Sequence, residues 1–184
     1  VDDFDRSIIP IAGANKAVDI PEMWQHNFDN GISILGAQSS ETPTTSVLLK
    51  IPAGHYYNVK NTAGTAGLVA SMLKESTTER SAEEMSKALQ KLGSSIYISA
   101  GNLYLNINIS SLTKNLDATL TLVNEQLRAP AFLESEFERL KSNAIQGTLN
   151  NRKDAGYLAS TAYRQLLNAD NIAAMPSSGN EKSL

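Results

Sequence analysis

Apolar residues recur along this chain at two periods, and the changes from one period to the other mark out its strands and helices. Short apolar runs at residues 25–29 and 32–38 flank Asn30-Gly31, a dipeptide that accepts positive φ at low cost and predicts a β-hairpin. Residues 44–52 (TTSVLLKIP) are β-branched and apolar, and Ala53-Gly54 ends them, which gives a third strand. Residues 96–100 and 103–109 alternate apolar with polar around Gly101-Asn102, the pattern of two half-buried antiparallel strands.

The helical period appears between and after these strands. Residues 62–73 (TAGTAGLVASML) are small or apolar on nearly every side, which predicts a helix buried all round and the most buried of the fold. Ser81 followed three residues later by Glu84 forms a capping box, and Met85, Ala88, Leu89 and Leu92 repeat at helical spacing until Gly93 stops them. Leu112, Leu116, Leu120, Val123 and Leu127 place one stripe along a long helix ending before Pro130. Residues 134–151, with Phe137, Leu140 and Ala144 on one face, and residues 155–167 form two more helices joined near Asp154. The tail from Asn168 onward is polar and is expected to pack loosely. Strand pairs and helical runs are segregated, so the class is α+β: an antiparallel or mixed sheet of about five strands with helices packed on one face.

With 184 residues, the chain suits one globular domain, read here as residues 22–184 behind an extended lead-in at 1–21 that contains Pro10 and Pro21. The apolar share of 41% is ordinary for a chain that folds. A net charge of −3, from interleaved acids and bases without a basic stripe, argues against nucleic acid as a partner. Cysteine is absent, which excludes disulfides, thiolate metal sites and cysteine nucleophiles. No apolar run reaches the roughly 18 residues that a membrane span needs. The acidic, polar start is not an export signal, and without an initiator Met the chain is expected to be a piece of a longer protein, truncated at its C-terminal end.

Candidate chemistry is sparse. His26 and His55 are the only histidines; neither has an acid or a second histidine at ligand spacing, so both are read as exposed or hydrogen-bonded residues. Glu83 and Glu84 could form a carboxylate pair, but the capping box accounts for Glu84 and the helix N-terminus for Glu83. Gly64 and Gly67 with Thr62 and Thr65 lack the spacing and the lysine of a phosphate-binding loop. The sequon at Asn108 falls within a predicted strand and is read as incidental.

An ordered series of short strings resembles the pitrilysin or insulinase family of zinc metallopeptidases. The series runs through Asn30-Gly31, Ala53-Gly54, Gly64-Thr65-Ala66, Met72-Leu73, Ser76-Thr77, Ser81 with Glu84, and Leu92-Gly93. It continues through Arg128-Ala129-Pro130-Ala131-Phe132, Glu136-Phe137-Glu138-Arg139 and Pro176-Ser177-Ser178-Gly179. The resemblance implies the family's metallopeptidase core-domain fold. In active members the central helix carries His-x-x-Glu-His, two imidazoles that bind zinc and a glutamate that serves as general base. Aligned on the strings, Gly67, Ala70 and Ser71 stand at those positions, and none can ligate or act as base. The third ligand, a glutamate on a later helix, would fall around Asn143 to Thr148, a stretch without an acid.

What the resemblance implies is therefore an inactive peptidase domain with no metal of its own. It would form one wall of a peptide-enclosing chamber opposite a zinc-bearing homologous half, in the same parent chain or a separate subunit, so that zinc and peptide substrate are partners of the assembly. The lead-in Asp5-Arg6-Ser7 with Pro10 resembles the start of the metal-free second half of long bacterial members, which implies a periplasmic or envelope location, with a cytoplasmic one left open. Tyr157 and Arg164 are not equated with the Tyr and Arg that some metal-free halves lend to the active site, because in the family that pair belongs to the following domain. The competing expectation is a structural or assembly protein of the same fold.

Overall fold

The computed structural model describes residue 13 and residues 21–39 and 41–184. The chain divides into two compact units, Val1–Thr42 and Pro43–Leu184. The expected lead-in at 1–21 lies outside the described residues, apart from Gly13 and Pro21.

In the first unit, β1 (Met23–Asn27) and β2 (Ser33–Ala37) pair antiparallel, with Trp24 opposite Gly36 and His26 opposite Ile34. Gly31 adopts φ 87° in the turn, a conformation that a side chain would strain, so Asn30-Gly31 does what its composition predicts. A Cβ at Gly36 would lie 2.3 Å from the Trp24 indole, so glycine is what lets the ring lie across the neighbouring strand.

The second unit holds β3 (Thr44–Ile51), β4 (Ser95–Ala100) and β5 (Leu105–Leu112), antiparallel in the order β3-β5-β4. Five strands were predicted and five are present among the described residues, divided between a two-stranded and a three-stranded sheet. Alternation along central β5 sets the burial: Leu105, Ile107, Ile109 and Ser111 are buried, while Asn108 and Ser110 are exposed. Ile107 lies between Leu49 and Ile98, and Ile109 between Val47 and Ile96.

Five helices follow the predicted order: α1 (Thr65–Met72), α2 (Ala82–Leu92), α3 (Leu116–Arg128), α4 (Glu134–Asn151) and α5 (Ala155–Asn168). Ala70 and Leu73 from the α1 end and Val123 from α3 join Ile98, Leu105, Ile107 and Ile109 in one core, which places these helices on one face of the sheet. Leu48 and Tyr97, which alternate to the other face, are 53% and 60% exposed.

Expectations for α1, α3 and the tail need correction. Helix α1 begins at Thr65, because Gly64 at φ 99° breaks the helical path and residues 60–62 form a separate 3₁₀ turn. It is also not buried all round: Val69 is 39% exposed, since the sheet covers only the Ala66 and Ala70 side. Helix α3 starts at Leu116, because Leu112 still belongs to β5. Its buried positions are Thr119, Leu122, Val123, Glu125 and Gln126, while Leu120 of the predicted stripe is exposed. The tail is packed instead of loose, with Ala174, Pro176 and Gly179 buried. Gly179, at φ 71°, approaches Ala63 so closely that a Cβ would meet its carbonyl oxygen.

Of the polar side chains buried on α3, those of Thr119 and Glu125 are hydrogen-bonded, while Gln126 Oε1 has no partner among the described residues. Thr119 Oγ1 meets the Ser94 and Ser111 hydroxyls at 2.7 and 2.9 Å. Glu125, 7% exposed, accepts from Thr77 Oγ1 at 2.6 Å and pairs with Arg80. Removing this carboxylate takes the short acceptor from the Thr77 hydroxyl and the nearer acid from Arg80, whereas Glu83 pairs with Lys87 on the open surface of α2. Glu125→Ala is expected to destabilise the fold by about 2–3 kcal/mol in urea denaturation, and Glu83→Ala by less than about 0.5 kcal/mol. Equal effects would contradict the network.

At the start of α2, Ser81 Oγ accepts from the Glu84 amide, and the Glu84 carboxylate accepts from the Ser81 backbone N–H at 2.9 Å. The Ser81 backbone and hydroxyl hydrogen bonds hold the Glu84 carboxyl below its usual range. A lowered folded pKa means that the stabilisation is present above the unfolded value and is lost as pH falls through the folded one. Protection factors of the first-turn amides of α2, that is, exchange relative to the intrinsic rate at each pH, are therefore expected to fall as pH drops below the ordinary glutamate range in the native chain and to lose that pH step in Glu84→Gln.

Candidate functional site

The positions aligned with the zinc motif lie on α1, and their surroundings follow from how this helix starts. Gly64 takes a left-handed conformation that brings the tail against the helix; a Cβ there would lie 2.6 Å from Leu184 and 2.9 Å from the Ser178 carbonyl. Helix α4 packs on the same helix. Between α1, α4 and the tail lies a cleft of about 400 Å³.

Gly67 and Ser71 stand one turn apart on the same face of α1 and both line this cleft. Asn143, Ala144, Gly147 and Thr148 of α4 line it from the other side, so the two segments singled out from sequence meet in one place. Ala70 does not join them. It is 2% exposed and sits in the core with Ile98 and Ile107.

None of the residues lining the cleft carries an ionisable side chain. Its polar groups are hydroxyls, such as those of Ser71 and Thr148, and the amides of Asn143 and Asn151. Zinc takes imidazole, thiolate or carboxylate ligands, so this donor set does not fit it. Among the described residues no three His, Cys, Asp or Glu side chains cluster as metal ligands would. The space itself is ample, since a Cβ at Gly67 or at Gly147 would meet nothing within 4 Å.

The remaining candidates fall elsewhere. His26 is exposed on β1 with its ring edge against Phe28, and His55 is buried with Nε2 3.1 Å from the Met175 carbonyl. Tyr157 sits in the first turn of α5, where its amide donates to the Asp154 cap. Contacts between the marker strings were not foreseen. Ser76 Oγ donates to Glu136 at 2.5 Å, Arg139 pairs with Glu75 at 2.7 Å, and Thr77 bridges to Pro130. Strings far apart in sequence are thus one junction in space.

An α+β domain with helices on one sheet face and an uncharged cleft beside its central helix is the class that fold and site define. The insulinase (peptidase family M16) profile matches residues 34–174, and the chain belongs to that family. It is 25% identical over 153 residues to the non-peptidase homolog YmxG of Helicobacter pylori, covering 83% of this chain and 35% of that protein. It is 26% identical over 107 residues to mitochondrial-processing peptidase subunit alpha-1 of Dictyostelium discoideum, covering 58% of this chain and 16% of the other. The fold is that of a peptidase M16 inactive domain from Pseudomonas fluorescens, with a TM-score of 0.82 at 23% identity over 88% of this chain and 39% of that one. The chain thus spans about a third or less of the length of these curated relatives.

If the cleft keeps the frame of a metal site and lacks only its ligands, supplying them restores metal binding. The triple variant Gly67→His, Ser71→His, Gly147→Glu is expected to bind one zinc per chain after dialysis, read by elemental analysis, while the unaltered chain binds none. Stoichiometric zinc in the unaltered chain would overturn this account of the cleft.

Proposed function

We propose that this domain is a non-catalytic wall of a peptide-enclosing chamber whose zinc and general base are supplied by a homologous half. The observation that carries the proposal is the cleft at the family's metal position, where Gly67, Ser71, Asn143, Gly147 and Thr148 offer no ligand and no base. Activating water for amide hydrolysis needs both. The names of two similar proteins, a non-peptidase homolog and an inactive domain, agree with a chain that does no chemistry alone. The similarity to a processing-peptidase subunit supports work in a pair.

A wall without chemistry still contributes to rate. The catalytic half acts well only when bulk water is excluded and the peptide is held near the metal. In this reading the zinc-bearing partner is another half of the same parent chain or a separate subunit, and the envelope is the compartment.

The test is deletion of this domain from a parent or complex whose catalytic half is verified as folded. Cleavage of long peptides is expected to fall at least tenfold while the zinc content of the catalytic half stays at one equivalent. Cleavage at the parent's rate by the folded remainder would rule out the chamber-wall role and favour a structural one.

A further inference from the structure

We infer that helix α5 is a self-association surface through which two copies of this chain pair about a two-fold axis. A surface helix ordinarily buries its apolar stripe and shows its polar side to water. Here the order is reversed. The side of α5 that is only partly exposed carries Tyr157, Thr161, Arg164 and Asn168 at helical spacing, and the helix packs on the 3₁₀ turn Ile172–Ala174. The opposite side carries Ala155, Leu158, Ala159, Ala162, Tyr163 and Leu166, all of them exposed. Leu166 is 84% exposed and Tyr163 65%. A single exposed leucine needs no explanation, but a continuous apolar stripe over three turns marks an interface.

The order of side chains along the stripe selects a second copy as its occupant. On the midline Ala155, Ala159 and Ala162 are small, and Leu166 at the end is large. In an antiparallel pair centred between residues 160 and 161, Leu166 of each copy meets Ala155 of the other and Ala159 meets Ala162, so large fills small at both ends. Two-fold symmetry then sets Leu158 of both copies along one flank of the pair and Tyr163 of both along the other. A parallel pair would instead stack Leu166 on Leu166 and leave a gap at the alanine end.

Charge and area agree with this pairing. None of the six side chains is charged, so no ion is buried, and the two helix dipoles run in opposite directions. Lys153, whose ammonium meets the Asn150 amide oxygen at 3.4 Å, lies just before the helix, and Asp170, fully exposed beside Lys60, lies just after it. Each end of the pair therefore brings a lysine of one copy toward an acid of the other. At their exposures Leu158, Tyr163, Leu166 and Leu167 present on the order of 500 Å² per copy, so the pair buries about 1,000 Å² in total, where specific but weak interfaces begin. The inference rests on α5 alone and does not depend on the chamber reading.

Because the chain contains no cysteine, introduced thiols report the register. Sedimentation of the unaltered chain at about 100 µM is expected to show a monomer–dimer equilibrium. Leu166→Lys, at a position too exposed to support the monomer's own fold, is expected to weaken association about tenfold or more. Under mild oxidation, Ala155→Cys combined with Leu166→Cys is expected to give a covalent dimer, because the two thiols of one helix are about 16 Å apart and each can close only onto the partner. Either single variant is expected to stay unlinked, since the antiparallel register holds its two thiols equally far apart. The proposal is overturned if the unaltered chain sediments as a monomer, which leaves the face to a different partner. It is also overturned if Leu166→Lys associates like the unaltered chain, or if a single variant links as readily as the double one.

Discussion

The contact on which this structure depends is the seating of the Ala70 face of α1 on the Ile98 and Ile107 face of the sheet. All three side chains are essentially buried, and β5 carries the sheet's central apolar row between two partners. A small residue at position 70 lets helix and strands approach closely, at native packing density and without a polar atom to satisfy. That one choice also bears on chemistry. The position that the family resemblance aligns with a general base is here a core position, so absence of the base and tightness of the core are one fact.

From that contact the rest of the second unit follows in layers. With α1 fixed, its other face is left for α4 and the tail, which meet it without filling the space beside Gly67 and Ser71. The segment after α1 is held by polar contacts instead of apolar ones: Ser76 to Glu136, Glu75 to Arg139, and Thr77 to Glu125 with Arg80. These bonds join the loop that follows the central helix to both α3 and α4. They fix the orientation of α4, and hence the width of the cleft.

Much of this was legible in the sequence because it rests on local chemistry. Asn30-Gly31, the Ser81–Glu84 box, Gly93 at the end of α2 and Asp154 at the start of α5 each encode a turn or cap through their own backbone bonds. The alternation in β5 shows which side of that strand is buried. What could not be read depends on partners distant along the chain. Thr119 and Glu125 look like surface residues on a leucine-striped helix, and only the presence of Ser94, Ser111, Thr77 and Arg80 makes their burial tolerable. The tail looked loose for the same reason, since its burial depends on Gly179 meeting Ala63 rather than on its own composition. The candidate site was legible as a set of aligned positions. That Gly67, Ser71 and the Asn143–Thr148 segment share a cleft while Ala70 does not was a matter of helix orientation that spacing alone left open.

The glycines of the second unit separate into those the fold requires and those it does not, and the distinction bears on what the cleft is. Gly54, Gly64 and Gly179 stand where a Cβ would strike backbone, so packing explains them. Gly67 and Gly147 lie inside helices with nothing within 4 Å of where a Cβ would be, and neither has a positive φ. Glycine in a helix interior costs about 1 kcal/mol relative to alanine. Each thus weakens its helix without a steric return, and both face the same cleft. A vanished metal site that had become ordinary core would be expected to close around apolar side chains, as happened at Ala70. The cleft instead stays open and uncharged, and the two helices that form it bear that cost in stability.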